Sequence, residues 1–144
     1  MDIVEIYFAF HRPATLRELI TRKSPVTSMF GHVEAFGYTI DNTWFFFDPG
    51  STHTKLLITH MNDEINDLMQ KRFDRAQTVF RLKHDPDTYP SPIHGPMNCV
   101  TQCAALIGWR AFTPGGFRKK LLNSNAEVIH EKHAKGRSRS QSPA

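Results

Sequence analysis

A chain of 144 residues is long enough for one domain with a real core, and eleven Phe and two Trp supply the apolar surface to build it. A formal charge of +4 makes it mildly basic, but part of that excess sits in the C-terminal stretch, so it says little about the folded body. Two cysteines exclude a disulfide-built scaffold, and no apolar run approaches the roughly 20 residues needed to span a membrane.

Met1-Asp2-Ile3-Val4-Glu5 begins acidic and lacks the basic region of a secretory signal, so the expected location is the cytoplasm of the producing cell. Free thiols fit a reducing compartment. Ile3 to Phe10 alternates well enough for a strand, and Pro13-Ala14-Thr15 begins a short helix carrying Leu16, Leu19 and Ile20 that Ser24-Pro25 ends. Gly31 to Tyr38 and Trp44 to Asp48 read as the arms of a β-hairpin around the turn residues Asp41-Asn42, closed by Asp48-Pro49-Gly50. Lys55 to Thr59 is a further short strand. Asn62 is the expected N-cap of a helix running to about Phe73, with Asp63 and Glu64 in its first turn and Ile65, Leu68 and Met69 as its stripe.

Thr78 to Leu82 is another strand, and His84 to Met97, with four prolines, is a loop that delivers the chain to a helix starting at Cys99. There Asn98 is a good N-cap, Val100, Cys103, Ala104 and Ile107 form the apolar stripe, and Gly108 is the stop. Thr113-Pro114 begins a last helix with Leu121 and Leu122 as its apolar part. From about Ser124 apolar residues thin out, and Lys135 to Ala144 is low in complexity. The expected organisation is one α+β domain over residues 1–123, with a mostly antiparallel sheet and a basic, disordered tail over 124–144.

Cys99 is the residue with chemistry. It lies off the apolar stripe, at the positive end of the helix dipole, where unpaired N–H groups favour thiolate over thiol. Its backbone N–H can face a developing oxyanion beside the Asn98 cap. Cys103, on the stripe, reads as structural. The base expected for Cys99 is His32, at the beginning of a strand. His94 is a rival on a poorer platform, and His11, His53, His60 and His84 read as solvated side chains at element ends. Two carboxylates compete to orient the imidazole. Asp48 faces the same way as His32 only if the hairpin loop has an odd number of residues, such as Asp41-Asn42-Thr43, and even then it pairs nearer Phe36. Glu34 shares a strand face with His32, and otherwise reads as an exposed strand carboxylate.

At Gly31-His32-Val33-Glu34, Trp44 to Pro49 and Asn98-Cys99-Val100-Thr101 the chain resembles the circularly permuted papain-like hydrolases of the NlpC type. The resemblance covers roughly residues 28 to 122 in order of elements. It implies Cys99 as nucleophile, His32 as base, a polar side chain on the following strand as orienter, and acyl transfer through a thioester. The implied substrates are amide or isopeptide bonds, in peptides or cell-wall peptides foremost, and relatives include acyltransferases. The domain's brevity would suit a viral or mobile-element product.

Two other classes remain in view. One is a catalytically inactive binding or regulatory module on the same fold. The other is weak, salt-sensitive nucleic-acid binding through Arg118-Lys119-Lys120 and Lys132 to Arg139, which lack interleaved aromatic residues. No cofactor is expected. The cysteines and scattered histidines have no zinc spacing, so no metal site is expected either.

Overall fold

A computed structural model of the chain describes residues 2–13, 15–21, 31–50, 54–85, 87–88, 93 and 97–132. Six strands, β1 (Ile3–His11), β2 (His32–Thr39), β3 (Trp44–Pro49), β4 (Thr54–Thr59), β5 (Thr78–Lys83) and β6 (Glu127–Glu131), form one open sheet in the order β4-β3-β2-β1-β5-β6. Every pairing is antiparallel. The helices are α1 (Leu16–Thr21), α2 (Asn62–Arg75), α3 (Cys99–Leu106) and α4 (Pro114–Leu122).

The sheet is covered on both faces. Ile6, Phe8 and Phe10 of β1, Val33 and Ala35 of β2, and Phe80 and Leu82 of β5 point one way and pack under Val100, Cys103, Ala104, Phe117 and Leu121 of α3 and α4. Tyr7, Ala9, Phe36, Phe46 and Val79 point the other way and pack with Leu68, Met69 and Phe73 of α2. This double cover explains why β1 is buried at every position from Ile6 to His11 instead of alternating with solvent. Fully burying a Phe contributes about 1.5–3 kcal/mol. Phe8, Phe36, Phe46, Phe80 and Phe117 therefore set the spacing of the three layers.

Several expectations need correction. The domain does not end at residue 123: β6 adds a strand beyond it, pairing Thr78 with Glu131 and Phe80 with Val128. Arg81 and Glu127 pair across that ladder, and Lys132 reaches the Asp74 carbonyl. A five-residue strand with one half-buried apolar position gives little periodic signal, so its neighbour β5 recruits it. The low-complexity stretch 135–144 lies outside the described residues. In α2 the cap position falls on Met61, whose side chain makes no capping bond. Instead the Thr59 hydroxyl accepts from the Met61 N–H at 3.2 Å and donates to Glu64 at 3.1 Å. Leu122 is exposed, and Phe117 with Leu121 forms the buried side of α4. Leu16 and Ile20 of α1 are exposed, and the Leu19 side chain, Ser24 and Pro25 lie outside the described residues.

Candidate active site

The hairpin decides where Asp48 goes. Its loop is Ile40-Asp41-Asn42, closed by the Asn42 N–H donating to the Thr39 carbonyl at 2.9 Å, with Asn42 at φ 63°. Asn tolerates that left-handed conformation better than most residues. The Thr39 N–H then donates to the Thr43 carbonyl at 2.9 Å as the first rung beyond the loop. The loop length is odd, as the face argument requires, but it begins one residue earlier than Asp41. That moves Asp48 by two positions along β2. The register Phe36↔Phe46 and Ala35↔Phe47 sets it across from Glu34 and diagonal to His32, rather than near Phe36. His32 itself enters β2 from Gly31, whose φ of 95° only glycine adopts without strain.

The diagonal pair meets. His32 Nε2 lies 2.5 Å from Asp48 Oδ1, a short charge-assisted contact, with the two side chains 15% and 29% exposed. That leaves Nδ1 as the ring nitrogen free for the sulfur. Cys99 is close enough for each group to act on the other, the ring lowering the thiol and the sulfur raising the ring. Cys99 is the first residue of α3, where Asn98 completes a capping box: the Thr101 N–H donates to Asn98 Oδ1 at 2.8 Å, and the Asn98 N–H donates to Thr101 Oγ1 at 2.9 Å. Asn98 Nδ2 turns to the Phe112 carbonyl at 3.4 Å. The Asn98 side chain is therefore engaged as cap and tether. The Cys99 N–H lies in the first turn of α3, where backbone donors have no intrahelical acceptor.

The electrostatics favour an ion pair. Burial pushes the Cys99 thiol up, yet the His32 hydrogen bond, backbone hydrogen bonds from Val33 and Val100 and the imidazolium charge outweigh it, and the net shift is downward. Burial likewise opposes charge on His32. Hydrogen bonds to Asp48 and Cys99 overcome that, and the ring is raised to about 10. The His32 contact holds Asp48 below the usual carboxylate range against burial, with help from Arg72 and Arg75. The three shifts all run in the direction of a thiolate, an imidazolium and a carboxylate in a row.

Glu34 has a different role from either one expected of it. It is 1% exposed, not a surface carboxylate. Its Oε1 lies 3.2 Å from Arg72 Nε and 3.7 Å from His11 Nε2, and its Oε2 lies 3.9 Å from Arg75. A buried carboxylate costs several kcal/mol unless paired, and two guanidinium groups from the end of α2 offset that cost. Arg72 also stacks on Phe46, 4.6 Å from the ring centroid. The His11 ring stacks on His32 at 5.8 Å and is buried rather than solvated, a consequence of the register pair His11↔His32.

None of these three partners stood out in the sequence. The available signal was a Glu inside a strand otherwise apolar on that face, which demands a cation from somewhere. The side chains of His32, Glu34 and Asp48 bring oxygen and nitrogen atoms within 4.8 Å of one another, the only array of metal-ligand type among the described residues. Asp48 is committed to His32 and Glu34 to two arginines, whose charge opposes a dication, so the array fits a proton network better than a metal centre. His53 and His94 lie outside the described residues.

Cys99 opens onto a cleft of about 740 Å³ between the end of β1, the start of β5 and the beginnings of α3 and α4. Phe10, Val100, Phe112 and Pro114 give it mainly apolar walls. No family model, no curated protein and no solved structure matches the chain.

Proposed function

We propose that this protein is a cysteine-dependent hydrolase or acyltransferase acting on amide or isopeptide bonds. The observation that carries the reading is the Asp48–His32 contact beside a Cys99 whose thiol the His32 ring lowers, with the sulfur at a helix start and at the wall of a cleft. Nucleophile, base and orienter come from three elements, and nothing in simple packing requires them to converge. The same three positions carry the resemblance to permuted papain-like hydrolases, in which the histidine strand precedes the cysteine helix.

The Cys99 thiolate attacks the carbonyl carbon, and the oxygen takes up charge beside the Cys99 N–H. His32 gives its proton to the leaving nitrogen as the C–N bond breaks, leaving a thioester and a neutral imidazole. Water, or an acceptor amine, then loses its proton to His32 and attacks the thioester. Carboxylic acid or new amide leaves, and the thiolate–imidazolium pair returns. Asp48 holds the ring in place and stabilises its positive form.

The test is thiol reactivity. Cys99 should react with iodoacetamide near pH 6, where an ordinary thiol is almost wholly protonated. His32→Ala should slow that reaction roughly 10–100-fold by returning the sulfur to the thiol form. A wild-type rate no faster than that of a free model thiol would remove the enzyme reading and leave a binding module on this fold.

A further inference from the structure

We infer that the cleft beside Cys99 is the subsite for the acyl side of the substrate, and that it takes an uncharged, apolar acyl group: an aliphatic or aromatic side chain, or a short acyl chain. The inference deepens the acyl-transfer reading and rests on it for which substrate part sits there.

Three observations carry it. First, the sulfur lies in the wall of the cleft, so whatever occupies that space is next to the carbonyl under attack. The volume suits a small ligand, since such sites run to about 300–1,000 Å³.

Second, its basic side chains are already engaged. Arg118 lines the cleft but pairs with Glu131 at 3.2 Å, and His11 lies against Glu34 at 3.7 Å. Among the described lining residues no other charged side chain faces the space, so a substrate carboxylate would lose water without an unpaired side-chain cation among them to replace it. Phe112, 57% exposed, adds the face of a large ring to that apolar wall.

Third, α4 begins Pro114-Gly115-Gly116, a poor helix-forming start. Gly116 has an internal reason, because a Cβ there would crowd the Thr113 cap oxygen at 3.0 Å. Gly115 has none: a Cβ there would meet no atom within 4 Å. A glycine that weakens a helix turn, lines a cleft and faces open space keeps that space free for something outside the chain.

The experiment compares three alkylating probes on the full chain: iodoacetamide, its N-hexyl derivative and its N-(5-carboxypentyl) derivative. Each rate is divided by that probe's rate with N-acetylcysteine. The hexyl probe should be favoured over iodoacetamide by about tenfold, the effect of burying roughly two methylenes. The carboxylate probe should gain nothing. Gly115→Leu should collapse the hexyl-to-iodoacetamide ratio towards one. Phe112→Ala, at an exposed position that folding does not depend on, should lower the ratio independently.

A hexyl ratio near one in the wild type, or preference for the carboxylate probe, overturns the apolar subsite. Fast iodoacetamide modification in that same experiment would still uphold the nucleophile. Conversely, slow iodoacetamide modification with a retained hexyl preference would uphold the subsite and sink the acyl-transfer reading.

Discussion

Cys99 and Cys103 sit one turn apart on the same eight-residue helix, and their chemistry is opposite. Cys103 is fully buried under the sheet, its sulfur 3.8 Å from the Val33 carbonyl, and burial with nearby negative charge pushes its thiol well above the ordinary value. Cys99 is half-buried and also pays for burial, yet its thiol is lowered, because an imidazolium and two backbone donors face the sulfur. Thiol reactivity on this helix is set by what the neighbouring strand brings to each turn. The strand's Val33 carbonyl is available to one sulfur and its His32 ring to the other.

Substitutions at and around the two sulfurs should separate them by very different amounts. Cys99→Ser should abolish both turnover and labelling of the folded protein, because Cys103 has no route to solvent. Mass spectrometry after iodoacetamide treatment should show one adduct on the native wild type, none on this variant, and a Cys103 adduct only after unfolding. A Cys103 adduct in the folded state would erase the distinction between the two sulfurs.

Asp48→Asn should come next. The amide still orients the ring but no longer stabilises its charge, so His32 loses its leading upward influence and titrates below its present value of about 10. The alkaline limb of the pH–rate profile should move to lower pH, and the rate at neutral pH should fall about tenfold. The acidic limb follows Cys99, so activity is lost as pH falls through the lowered thiol value. A stability signature accompanies it. His32 titrates near 10 when folded against 6.5 when free, so its contribution to folding is complete below pH 6.5 and disappears as pH rises through about 10. Denaturation of wild type and His32→Ala should therefore converge across that window.

The smallest effect belongs to Cys103→Ala. Removing one buried sulfur from a packed core should cost about 1 kcal/mol in urea titration. Cys99 alkylation should remain at its wild-type rate, since Cys103 contributes packing and no proton.

Much of the fold was legible in the sequence because it is written locally. The five strands up to Lys83 and the helices at Asn62, Cys99 and Thr113 follow from periodicity, turn residues and caps, and Asn98 is the N-cap it was expected to be. The last strand was not legible, because β6 is polar and short and exists by pairing with β5. In the site, Cys99 and His32 carried signals of their own: a cysteine off the apolar stripe at a helix start, and a histidine at a strand's beginning. Asp48 could be read only as a choice against Glu34, since a one-residue difference in where the hairpin loop starts moves it by two positions along β2. Arg72, Arg75 and His11 were invisible as partners of Glu34, because they lie on α2 and β1, far from it along the chain.

From the residues alone came the α+β class and the placing of Cys99 at a helix start, because helix starts, strand periods and turn chemistry act over a few residues. Only the tertiary structure decided which carboxylate holds the imidazole, which one is absorbed into the packing of α2, and that the sulfur looks into an apolar cleft. Those outcomes depend on strand register and on charges brought together from distant segments.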